Sequence, residues 1–224
     1  MGKRINPGYE KNEKLFDRGV HLRRQYKNIS LIIFEGRHEQ ISQALGLIPY
    51  KKQTDLKYDI LTIGDSNGDN KDGWVTQLAK MMPKSDIVNL SESGRTIGFD
   101  NNGRARLNGL KNIDSYLDKA QAKKQQYDYI IVCLGTNDSK KMFDARQEEI
   151  PKNLRSLLNK IKSHNLYKRG STKLIYVTPP PLRNENVSPK YEGSGKRLAR
   201  MVPELKIVAS ALGWEVIDIY NPLL

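Results

Sequence analysis

Three stretches of this chain place a polar side chain directly after a short apolar run, and each has the composition of a turn at the end of a strand. The first is Ile60-Leu-Thr-Ile-Gly64, followed by Asp65-Ser66-Asn67-Gly68. A serine just past a strand, with glycine allowing a sharp turn, presents both its hydroxyl and its backbone N–H at the mouth of a crevice. That is the geometry of an exposed nucleophile; the competing reading is a serine that caps the next helix. The second stretch, Asn89-Leu-Ser-Glu-Ser-Gly94-Arg95-Thr96, offers the Gly94 N–H to a substrate oxygen. Arg95 could hold a polar or anionic group beside it; a plain turn glycine is the other account. The third, Leu134-Gly135-Thr136-Asn137-Asp138, offers the Asn137 carboxamide as a donor to a developing oxyanion. An Asx turn closing the strand would explain the same asparagine.

These residues need elements to bring them together. From Tyr58 onward, runs rich in Ile, Val and Tyr alternate with helical patterns, the signature of βαβ units around a parallel sheet. The pattern predicts strands at 59–63, 86–90, 129–134, 173–177 and 215–219, and helices at 73–82, 105–122, 146–164 and 194–212. The fold class that follows is α/β, a flavodoxin-like three-layer α/β/α sandwich on a five-stranded parallel sheet. In such a sheet ligands bind beyond the carboxyl ends of the strands, where the winding reverses. All three stretches fall at such ends, and Pro179-Pro180-Pro181 stiffens the loop after the fourth strand at the same edge.

At this point the chain resembles the GDSL/SGNH hydrolase family. Gly64-Asp65-Ser66 looks like its first block, Gly94 like the glycine of its second, and Gly135-Thr136-Asn137-Asp138 like its third. The resemblance spans roughly Asp59 to Tyr220. It implies that Ser66 is the nucleophile and that the Ser66 N–H, the Gly94 N–H and the Asn137 side chain form an oxyanion hole. The stretch from Gly73-Trp74 to Gly94-Arg95-Thr96 is similar in particular to carbohydrate acetylesterases of the family, such as those acting on rhamnogalacturonan. The implied substrate is a small-molecule or carbohydrate ester, with acetyl as the acyl group. A catalytically silent relative that binds an acidic glycan or another polyanion is the alternative.

A serine hydroxyl needs a base, and the family supplies one from an Asp-x-x-His block near its C-terminus. The chain has only His21, His38 and His164. His164 falls at the end of a helix that returns to the opposite edge of the sheet, and His21 and His38 belong to the N-terminal extension. Asp218 and Asn221 have an Asp-x-x-polar spacing, but Asp218 is predicted on the last strand and asparagine is no base near neutral pH. The expectation is therefore that an Asp-x-x-His block follows Leu224.

The remaining sequence narrows the class. Residues 1–57 carry 12 Lys or Arg against 6 Asp or Glu and form a basic extension, with an added strand and helix suggested by Ile29–Phe34 and Gln40–Leu47; residues 58–224 form the hydrolase-like domain. The net charge of +13 is scattered rather than gathered into a groove, so no nucleic-acid partner is expected. No apolar run approaches the length of a membrane span. Met1-Gly-Lys-Arg is not followed by an apolar stretch, so the chain reads as cytoplasmic or as one whose leader has been removed. Cys133, the single cysteine, is expected to be a buried structural thiol. No His, Cys or acidic spacing suggests a metal, and neither a dinucleotide fingerprint nor a phosphate loop is present, so no cofactor is expected.

Overall fold

The computed structural model describes residues 57–183 and 187–223. The expected strand and helix at 29–34 and 40–47, and with them His21 and His38, lie outside the described residues.

The sheet has five parallel strands: β1 (Asp59–Gly64), β2 (Asp86–Asn89), β3 (Tyr129–Cys133), β4 (Lys173–Val177) and β5 (Glu215–Ile217). Their order is β2-β1-β3-β4-β5, so the winding reverses between β1 and β3. That is the flavodoxin-like order read from the sequence, and it opens the crevice at the ends of β1 and β3. Gly64 is in register with Cys133, so the residues following these two strands leave the sheet side by side.

The strands form where fully buried β-branched residues dominate, as in Tyr129–Cys133, which is buried at every position. Among the described residues five α-helices accompany them: α1 (Ser66–Asp69), α2 (Trp74–Met81), α3 (Gly109–Lys123), α4 (Ile150–Ser163) and α5 (Ser194–Ala211). On one face Leu61, Ile63, Ile130, Val132 and Tyr176 pack in one cluster with Ile113, Leu117, Leu157, Ile161, Leu198 and Leu205 from α3, α4 and α5. On the other face Ile60, Ile131 and Ile175 cluster with Trp74, Val75 and Leu78 from α2. Cys133 is buried in that second layer.

Three boundaries differ from the expected ones by more than one residue, each for a local reason. The helix read from 105 starts at Gly109, because Asn108 is extended and its side chain accepts from the Lys111 N–H at 3.1 Å, a cap. Residues 105–107 ahead of it form a 3-10 turn. The helix read from 146 starts at Ile150 with Pro151 in its first turn, where proline's missing N–H is harmless; Lys141–Glu149 is a kinked 3-10 segment. Asp218 is not on β5, which ends at Ile217. Its carboxylate accepts the N–H groups of Tyr220 and Asn221 at 3.0 and 3.2 Å and turns the chain away from the ladder.

Candidate active site

At the end of β1 the roles of Asp65 and Ser66 separate. Asp65 is buried and is the N-cap of α1, its side chain accepting from the Asn67 N–H at 2.9 Å. The capping explanation for Ser66 therefore falls to its neighbour. Ser66 is the first residue of α1, so its N–H has no partner within the helix. Its hydroxyl has no hydrogen bond to any described residue, and its side chain is partly exposed. The α1 turn is held from both sides: the Asn89 Nδ2 donates to Gly68 O at 2.9 Å, and a Cβ at Gly68 would stand 2.5 Å from Ser91 Oγ. Only glycine lets β2's exit pass this close.

The second stretch is a loop folded over the end of β1. Gly94 has φ +88°, in the left-handed region that glycine adopts without strain, and among the described residues its N–H has no acceptor. Asn101 anchors it by donating Nδ2 to Gly94 O at 2.6 Å.

Arg95 sits differently from the exposed anion holder expected of it. It is buried, with Nη1 donating to the carbonyls of Gly64 at 3.2 Å and of Leu90, and Nη2 to Glu92 at 3.2 Å. Its guanidinium lies 4.2 Å from the centre of the Tyr116 ring. Burial lowers its pKa, offset in part by Tyr116. Its Nη1 is committed to backbone carbonyls and its Nη2 to the Glu92 carboxylate, so Arg95 braces the loop from beneath.

Asn137, after β3, is buried and fixed on both sides of its carboxamide. Nδ2 donates one hydrogen to Arg95 O at 3.0 Å, and Oδ1 accepts from the Tyr191 hydroxyl at 2.9 Å. This assigns the amide orientation and leaves a second N–H, a pattern that no Asx turn produces. The next residue, Asp138, is fully buried and accepts the Ile97 N–H with both carboxylate oxygens, at 3.0 and 2.9 Å. Burial raises its pKa to about 7, against the lowering effect of the Ile97 and Gly98 backbone groups. It thus clips the Gly94–Ile97 loop to the exit of β3. In the sequence Asp138 stands in the third motif with no task of its own; a carboxylate directly beside Asn137 is the available signal.

Tyr191 was also missed. It stands in a 3-10 turn, Pro189–Tyr191, some fifty residues beyond Asn137, and nothing local in the sequence links the two.

Among the described residues the one histidine is His164, the C-cap of α4, whose Nε2 lies 3.4 Å from Asp118 on α3. His164 closes α4 and Asp118 lies in the C-terminal half of α3, both away from the crevice. Asp218, held by Lys206 and by Asn221 Nδ2 at 2.6 Å, is in a turn after β5; burial opposes but the Lys206 and Asn221 hydrogen bonds prevail, and its pKa is lowered. The described residues contain no group of three His, Cys, Asp or Glu able to hold a metal ion, and no helix long and apolar enough to cross a membrane.

The five-stranded parallel α/β sheet is consistent with the SGNH hydrolase fold, and residues 59–224 match the GDSL-like lipase/acylhydrolase family; the chain belongs to that family. No curated protein sequence matches it. Among solved structures it is similar to a carbohydrate acetylesterase from Sinorhizobium meliloti, with a TM-score of 0.59 and 23% identity over 71% of this chain and 83% of that one. It is similar also to the native aryl esterase of M. smegmatis, with a TM-score of 0.58 and 24% identity over 71% and 83%. At these identities the likeness shows the fold.

Proposed function

We propose that this protein is a serine esterase that takes an acyl group, acetyl first among them, from an ester on a carbohydrate. One observation carries the reading. The Asn137 carboxamide is clamped by Arg95 O and Tyr191 Oη so that one N–H is left over, beside a loop whose Gly94 N–H and a helix start whose Ser66 N–H also lack acceptors. Three donors fixed before substrate arrives suit the charge of a tetrahedral intermediate and need no reorganisation as it forms.

In the proposed reaction Ser66 Oγ attacks the acyl carbon and forms a C–O bond, and the carbonyl oxygen moves into the three donors as an oxyanion. The Ser66 proton passes to a base and then to the leaving alkoxide as its C–O bond breaks. Water repeats the sequence and frees the acid. Since His164 is remote, that base comes from outside the described residues. The carbohydrate acetylesterase and the aryl esterase among the structural relatives guide the choice of substrates, an acetylated sugar and an aryl acetate.

The test is p-nitrophenyl acetate turnover together with fluorophosphonate labelling. Turnover and label are both expected to disappear in Ser66→Ala. Turnover that persists unchanged in Ser66→Ala would remove this serine from the mechanism.

A further inference from the structure

The Tyr191 ring that holds Asn137 is flanked by two ammonium groups. Lys140 Nζ lies 5.5 Å and Lys190 Nζ 5.4 Å from its centre. Lys140 leaves β3's exit three residues after Asn137 and is only 5% exposed. Its ammonium has one hydrogen-bond partner, Asn101 Oδ1 at 3.1 Å, which is neutral, so two of its three N–H donors remain. Lys190 is exposed and, like Lys140, enters no ion pair among the described residues. The nearest surface carboxylate in sequence, Glu192, is taken by Lys141 at 2.9 Å. Asp138 and Asp65 are buried nearby, but the first gives its oxygens to Ile97 N–H and the second accepts from Asn67 N–H.

A buried cation with no anion in contact is unfavourable, and a second cation close to it makes this worse. Burial and then Lys190 accordingly depress the Lys140 pKa, opposed in part by the charges of Asp138 and Asp65. The aromatic face relieves part of the imbalance. A carboxylate placed between the two ammonium groups would relieve the rest.

We infer that Lys140 and Lys190, both against the ring of Tyr191, form an anion subsite beside the oxyanion donors, and that the ester handled here carries a carboxylate. This inference rests on the proposed acyl-transfer site for its orientation, but the binding it describes does not need Ser66 chemistry. The carboxylate can stand on the alcohol side of the ester, as in an acylated acidic sugar, or on the acyl side, as in a dicarboxylic monoester. Both present the same group to the same lysines.

Non-hydrolysable amides separate these sources and make the test independent of turnover. The full chain is titrated by NMR at low salt with 4-acetamidobenzoate against acetanilide, and with glutaranilate against butyranilide. The first anion carries its carboxylate on the alcohol-equivalent side and the second on the acyl side. At least one anion is expected to bind about tenfold more tightly than its neutral partner, with the advantage falling severalfold in 0.5 M NaCl. Lys190→Gln, on the surface, is expected to remove about half of the advantage on a logarithmic scale. Lys140→Gln, which keeps an amide donor for Asn101, is expected to remove the rest. Equal binding of both anions and their neutral partners overturns the subsite, as does an advantage that Lys190→Gln and Lys140→Gln both leave intact. Loss of fluorophosphonate labelling alone bears only on the acyl-transfer proposal, because amide binding does not report on Ser66.

Discussion

The exits of β1 and β3 meet at one crevice with opposite construction. After β3, the five residues Thr136–Lys140 are all buried, and Asn137, Asp138, Ser139 and Lys140 each have side-chain hydrogen bonds, reaching Arg95, Tyr191, Ile97, Thr136 and Asn101. After β1, Ser66 and Asn67 are partly exposed and Asp69 and Asn70 exposed. The proposed donor side is fixed by its own side chains' tertiary bonds, whereas the proposed nucleophile side is held through the neighbours of Ser66, by its helical turn, by Asn89 and by the Ser93 bonds to Asp69. An oxyanion hole works by being organised in advance, so its stability and its function reside in the same bonds. A nucleophile must stay uncommitted, so the bonds that position it belong to its neighbours.

This contrast predicts how substitutions divide between folding and chemistry. The largest effect on stability is expected at Asp138. Asp138→Ala strips a buried N–H of its acceptor and is expected to lower stability by roughly 3 kcal/mol, read as a fall in Tm of several degrees. The same residue sets a pH dependence. Its folded pKa, about 7, lies above the unfolded value near 3.8, so the folded state binds the extra proton between these pH values. Stability from this group is full below about pH 4 and is lost as pH rises toward 7, at up to about 1.4 kcal/mol per pH unit. Asp138→Asn retains one acceptor oxygen but cannot ionise, and urea denaturation should show that slope removed. An unchanged slope would mean that the Asp138 carboxyl titrates as in an unfolded chain.

An intermediate effect is expected at Asn137. Asn137→Ala removes bonds to Arg95 O and Tyr191 Oη, for about 1–2 kcal/mol of stability. Its effect on kcat should be larger, about 10²- to 10³-fold, with KM for p-nitrophenyl acetate little changed, because the lost N–H acts on the oxyanion more than on the bound ester. A rise in KM with kcat preserved would place Asn137 in ground-state binding instead.

The asymmetry also governs what the sequence could disclose. That Ser66, Gly94 and Asn137 share one edge was legible because each stands within a few residues of the end of an apolar strand run, and strand ends of a parallel sheet face one edge by topology alone. The strands themselves were legible because runs such as Tyr129–Cys133 are apolar throughout. Arg95 was not, since an arginine that turns inward to Gly64 O and Leu90 O reads the same as one that turns outward. Tyr191 and Lys140 were not, because their partners lie 54 and 39 residues away in the chain. Asn108 shows the limit for secondary structure: helical periodicity ran on through 105–108, but side-chain capping moved the start to Gly109.

The smallest effect on folding is expected at Ser66, and it is the most discriminating for the contrast between the two exits. The Ser66 hydroxyl makes no hydrogen bond to any described residue, and Asp65, not Ser66, caps α1. Ser66→Ala removes one partly exposed oxygen and improves local helix propensity, so stability should remain within about 0.5 kcal/mol of the parent. Thermal denaturation of parent and variant side by side, with fluorophosphonate labelling of each, reads both halves. The expected outcome is an unchanged Tm with the label gone. A destabilisation as large as that of Asn137→Ala would show that the hydroxyl is part of the fold's hydrogen bonding, and would move Ser66 from the uncommitted side of the crevice to the fixed one.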